Sequence, residues 1–228
     1  MKKKLTFILA LLLGGIAMVT LSACGENKNS REWIENKVSE VSRVYPTENL
    51  FDLFKEFPEG FKIEQVYLKK GNYSIDFILE GKSDNKTISG KLTKTPSTDD
   101  VNQKPDEEIE VNYVNGQFVF SDEQKAKEIW KFGGFLFQKL TLNKNIFSKF
   151  KLKEKNYNSV TNGFDISYHL NNRLVNEYFS KKETENSILK IGSSLQNPGY
   201  YYYSVIINYD DGFYFRETVS NAEVYNGN

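Results

Sequence analysis

A change of hydrophobic period at Phe61 constrains this chain more than any other feature. Before it, apolar residues recur at helical spacing; beyond it they recur every second residue, the spacing of strands with one buried face. Phe61, Ile63, Val66 and Leu68, then Tyr73, Ile75, Phe77 and Leu79, then Ile88 predict three strands of an antiparallel meander, with turns at Lys70-Gly71-Asn72 and Gly81-Lys82-Ser83-Asp84. Ile109, Val111 and Tyr113 resume the pattern, and Asn115-Gly116, a dipeptide suited to tight hairpins, leads into Phe118 to Phe120. Further strands are expected over Phe147 to Leu152, Phe164 to His169, Ile188 to Ile191, Tyr200 to Tyr209 and Phe213 to Thr218, with Asp210-Asp211-Gly212 as the last turn.

Helical spacing is confined to four places. Ser30 is a natural cap for a helix through Ile34, Val38, Val41 and Tyr45, which Pro46 ends; Thr47 then caps a short segment through Leu50, Phe51, Phe54 and Phe57. Ser121, with Gln124 three residues on, opens a helix expected to run to about Leu140 through Ile129, Trp130, Phe132, Phe135 and Leu136, interrupted by Gly133-Gly134. A short helical piece is expected over Leu174 to Phe179. Thr95 to Glu107 carries two prolines and no apolar pattern, so it reads as an exposed connection. The expected class is α+β: antiparallel, strand-rich sheet or sheets with an N-terminal helical segment and a central helix packed on the sheet. Residues 31–228 form a single extracytoplasmic domain on this reading, or two similar α+β halves, 31–120 and 121–228.

The N-terminus reads as an export signal. Lys2, Lys3 and Lys4 precede an apolar run from Leu5 to Val19, and Leu21-Ser22-Ala23-Cys24 has the small residues a lipoprotein peptidase needs before a lipidated cysteine. Residues 1–23 are the expected signal peptide and 24–30 a lipidated Cys24 with a flexible tether, so the membrane is a partner through Cys24 and the expected location is the extracytoplasmic face of the cell membrane. Removing 1–23 takes three of the 30 basic residues and leaves 27 against 30 acidic, a balance that gives nucleic acid no purchase. Cys24 is the single cysteine, so no intrachain disulfide is available and the domain must be held by packing, for which 14% aromatic residues are the chief material.

Chemistry-bearing patterns are sparse. One histidine, His169, stands in a strand pattern with no triad or metal motif around it, and the acidic runs Asp99-Asp100, Asp106-Glu107-Glu108 and Asp210-Asp211 lack the spacing of a calcium loop. No catalytic, metal or cofactor residues are assigned, and the expected role is non-enzymatic. The most unusual local feature is Tyr200, Tyr201, Tyr202 and Tyr203, where alternation would place two rings on each face of a strand and offer one pair to a protein partner.

Val44-Tyr45-Pro46-Thr47-Glu48-Asn49-Leu50-Phe51-Asp52-Leu53-Phe54 and Asn162-Gly163-Phe164-Asp165-Ile166-Ser167-Tyr168 resemble segments of the staphylococcal tandem-type lipoproteins, also called conserved staphylococcal antigens. The terminal aromatic hairpin near Phe213-Tyr214-Phe215 is similar in position to that family's closing strands, whereas Tyr200 to Tyr203 departs from it. The resemblance implies an α+β fold, no known catalytic residues, and a role in host-cell interaction and immune stimulation. Two readings stay open: a surface lipoprotein that binds a host protein, or an immunity lipoprotein that neutralises a secreted antibacterial toxin at the outer membrane face.

Overall fold

The alternating segments pair into one sheet. In the computed structural model, which describes residues 26–69, 73–97, 103–194 and 199–222, ten antiparallel strands follow one another as β1 (Gly60–Lys69), β2 (Tyr73–Lys82), β3 (Thr87–Pro96), β4 (Glu107–Val114), β5 (Gln117–Phe120), β6 (Lys151–Tyr157), β7 (Phe164–Leu170), β8 (Ser187–Ser193), β9 (Tyr202–Tyr209) and β10 (Tyr214–Asn221). Their order in the sheet is β5-β4-β3-β2-β1-β10-β9-β8-β7-β6. Each half of the chain is a five-stranded meander of neighbours in sequence, and among the strand pairings of the described residues only β1–β10, with Ile63 opposite Val219 and Gln65 opposite Glu217, joins the two. Strands hold 42% of the residues and helices 22%, so the fold is mostly β with helices present.

One face of the sheet is covered. Phe61 and Ile63 of β1, Phe77 and Leu79 of β2, Leu92 of β3, Ile191 of β8, Val205 and Ile207 of β9 and Phe215 of β10 are almost wholly buried there. Over them lie α1 (Arg31–Val38), α2 (Leu53–Glu56), α3 (Glu123–Ile129), α4 (Lys144–Phe147) and α5 (Arg173–Tyr178), with short 3-10 turns between. Ser30 caps α1, its hydroxyl accepting from the Trp33 N–H at 3.1 Å. Arg31 then bonds Glu35 at 2.8 Å and the carbonyls of Phe147 and Phe150 at 3.2 Å, while Tyr168 donates to Glu35, so α1 is tied to α4 and β7. The opposite face carries ion pairs such as Lys91–Glu108 at 2.7 Å and Lys190–Asp165 at 3.0 Å, the pattern of a sheet solvated on one side. Both edges resist further pairing: β5 has four residues, and β6 is lysine-rich with an irregularity between Leu152 and Glu154.

Several expectations are corrected. The central helix stops at Ile129 rather than near Leu140, because Trp130 turns extended and Gly133 takes φ +65°; Leu136–Gln138 is a separate 3-10 turn. Its cap is Asp122, which accepts from the Lys125 N–H, while Ser121 bonds Glu110 across the β4–β5 hairpin. Asn49, not Thr47, caps the turn before α2. Phe147 ends a helix, so β6 begins at Lys151. In β1 the inward positions after Ile63 are Gln65 and Tyr67, with Leu68 exposed. Residues 27–30, at the end of the expected tether, form a turn, Ser30 N–H to Asn27 O at 2.9 Å. The signal peptide, Cys24, the Lys70-Gly71-Asn72 turn and Asp99-Asp100 lie outside the described residues.

Candidate binding cleft

The junction of the two halves buries a carboxylate. Glu217 faces inward from β10 and is fully buried, and four donors converge on it. Its Oε1 accepts from the Tyr45 hydroxyl and the Phe137 N–H, both at 2.8 Å; its Oε2 accepts from the Leu136 N–H at 2.8 Å and from Gln65 Nε2 at 3.0 Å. Burial pushes the Glu217 carboxyl above the ordinary glutamate value, and the four hydrogen bonds pull against that shift. Burial, followed by the Glu217 charge, also holds Tyr45 and Tyr178 far above a normal phenol, so both stay protonated donors.

Gln65 extends the network. Its Oε1 accepts from Trp130 Nε1 at 2.7 Å, its Nε2 also donates to the Tyr178 hydroxyl at 3.0 Å, and that hydroxyl donates to the Gly134 carbonyl at 2.9 Å. The Trp130 ring is wedged edge-on against Phe77 and Phe118, with centroids 4.7 and 5.2 Å away. Residues 130 to 137 are thereby fastened to the sheet at both ends, and the stretch between, Lys131 and Phe132, stands beside the β9–β10 turn.

Between these walls opens a cleft of about 780 Å³. Tyr67, Ile75, Phe132 and Phe213 supply its apolar surface, with Tyr67 and Phe132 edge to face at 4.9 Å and Phe132 and Phe179 likewise at 5.6 Å. The Tyr67 hydroxyl donates to the Ile129 carbonyl and burial raises its pKa, so it is neither a free donor nor an acid. Charged groups sit at the rim. Lys181 lies 2.5 Å from Asp211 and over the rings of Tyr209 and Phe213, and Lys94 lies 3.4 Å from Glu107 and over Tyr73. The Lys181 hydrogen bond, reinforced by the Phe213 N–H, holds the Asp211 carboxyl below its usual range. Lys131 and Glu128 complete the rim without an ion pair among the described residues.

Ser180 closes α5 on the cleft side in a left-handed conformation, φ +55°, with its N–H on Glu177 O and the Lys181 N–H on Asn176 O. Glycine carries no Cβ penalty there, so Ser180→Gly should stabilise the fold by about 1 kcal/mol, measured as a rise in the urea midpoint at constant slope.

The tyrosine run does not form one surface. Tyr201 and Tyr203 are buried on the covered face: Tyr201 packs on Phe57 at 5.1 Å, and Tyr203 donates to the Lys37 carbonyl at 3.0 Å. Neither has area to offer a partner, since α1 and the segment before β1 cover that face. Tyr202 is half-buried on the open face and Tyr200 is exposed just before β9. His169 is exposed on the open face of β7, opposite Lys151 and Ile188. Among the described residues no three His, Cys, Asp or Glu side chains are grouped to hold a metal ion, and no helix is long and apolar enough to cross a membrane.

Local sequence pattern does not mark Gln65, Trp130, Tyr178 and Glu217 as members of one buried network, nor the cleft beside them. One signal was present: Glu217 interrupts the inward alternation of Phe215 and Val219, and an acid at a core position requires buried donors. Comparison of the chain with protein families and with curated protein sequences finds no match.

Proposed function

We propose that the chain is a lipid-anchored, extracytoplasmic recognition module that binds a partner at the membrane surface and carries no reaction of its own. The observation that supports it best is the pairing of a lipidation signature at Leu21-Ser22-Ala23-Cys24 with a sheet domain that carries a cleft walled largely by aromatic rings. The folded turn at residues 27–30 leaves only Gly25 and Glu26 between it and Cys24, a reach of about 10 Å, so a lipid on Cys24 would hold the domain against the membrane.

Metabolic labelling with an alkyne analogue of palmitate tests the anchor. The wild-type chain should carry label and sediment with membranes, and Cys24→Ala should lose both; label retained in the variant refutes the anchor. Recognition is tested by deleting residues 31–228 while keeping the lipidated N-terminus. Loss of host-cell adhesion or uptake supports a host protein as partner, loss of protection against a secreted toxin of kin bacteria supports the immunity role, and unchanged behaviour in both assays defeats the recognition reading.

A further inference from the structure

We propose that the cleft between residues 128–132 and the β9–β10 turn binds an amphipathic anion, an aromatic or alicyclic body bearing one carboxylate or phosphate group. This goes beyond the recognition of a protein partner and depends neither on lipid at Cys24 nor on that partner. At about 780 Å³ the cleft has the size of sites that enclose small organic ligands. Tyr67, Phe132 and Phe213 meet one another at 4.9 and 6.4 Å, leaving ring faces and edges against which a planar body can pack.

Charge at the rim selects the head group. Lys181 is balanced by Asp211, and Lys94 by Glu107, each ammonium also resting on a tyrosine ring, at 4.7 and 4.6 Å. Lys131 is exposed and carries no such partner among the described residues. With their ion-pair partners counted, the three rim lysines stand among Glu107, Asp211, Glu185 and Glu128, so selectivity rests on Lys131 rather than on the net charge of the rim. Glu128 opposes an anion, and Lys131 is the cation at the rim still open to a counter-ion among the described residues. The apolar body then fills the space beside Phe132 and the head group meets Lys131.

The test uses the full chain in phosphatidylcholine nanodiscs, titrated by saturation-transfer NMR with 2-naphthoate and with neutral 2-naphthylmethanol. The acid should bind at least about fivefold more tightly, the effect of one exposed charge contact. Lys131→Glu should erase that preference while leaving the alcohol unchanged, and Glu128→Lys should enlarge it. Tyr73→Ala, at an exposed residue that the core does not need, should weaken both probes about threefold. Circular dichroism confirms that each variant is folded. Adding phosphatidylglycerol to the discs separates two sources of the anion: competition with naphthoate identifies a lipid head group, and unchanged binding identifies a free solute, either in support. Equal affinity for the two probes, no saturable binding of either, or indifference to Lys131→Glu and Tyr73→Ala overturns the proposal.

Discussion

Glu217→Ala should lower the free energy of unfolding by about 3–5 kcal/mol, enough to remove much of the stability of a domain this size. The substitution strands four donors in the core, those of Tyr45, Gln65, Leu136 and Phe137, and two of them are backbone amides that cannot turn to another acceptor. Glu217→Gln should cost less, about 1–3 kcal/mol, because one oxygen survives while the new amide N–H group faces a donor. Urea unfolding at neutral pH measures both, and a loss below about 1 kcal/mol for the alanine variant would deny the carboxylate its role at the junction. The pH dependence has a definite sign. Since the folded carboxyl holds its proton to higher pH than the ordinary 4.5, its contribution is fullest below that value and declines as the pH rises through the window above it. In the Gln variant this decline should vanish, flattening the profile there.

Trp130→Ala should cost about 3–5 kcal/mol as well, by a different route. The indole fills the space among Phe77, Phe118, Phe120 and Phe135, all within 6.2 Å between centroids, so truncation opens a cavity in the first half of the core. Trp130→Phe keeps most of that packing and removes only the N–H that Gln65 accepts, for about 1–2 kcal/mol. Coupling of more than about 0.5 kcal/mol between Trp130→Phe and Gln65→Met, measured by a double-mutant cycle, would locate the loss in that hydrogen bond. Strict additivity would count against it. Trp130 also fixes the backbone just before Lys131 and Phe132, so its truncation should loosen one wall of the cleft.

How much of this was readable in advance follows from how far each interaction reaches along the chain. The hairpin at Asn115-Gly116 was legible because its two left-handed residues, φ +52° and +82°, are a local demand met by local residue types. The Ser30 cap was legible for the same reason, the donor lying three residues away. In strand β1 the alternation that the sequence suggests beyond Ile63, through Val66 and Leu68, is not the one the fold adopts. The true inward residue, Gln65, is polar, and what makes it acceptable in the core is Glu217, 152 positions later. The stretch after Ile129 looked helical for a similar reason: its apolar spacing suited a helix, but the Leu136 and Phe137 amides are taken by the same carboxylate.

Hydrophobic period, turn chemistry and caps decided that this chain would make antiparallel hairpins with a few short helices, since those preferences act over two to five residues. Pairing of β1 with β10, the inward turn of Gln65 and Glu217, and the cleft between Phe132 and Phe213 were decided by tertiary structure. Each depends on a buried polar group finding its partners, or on two walls meeting, across distances in sequence that local pattern does not encode.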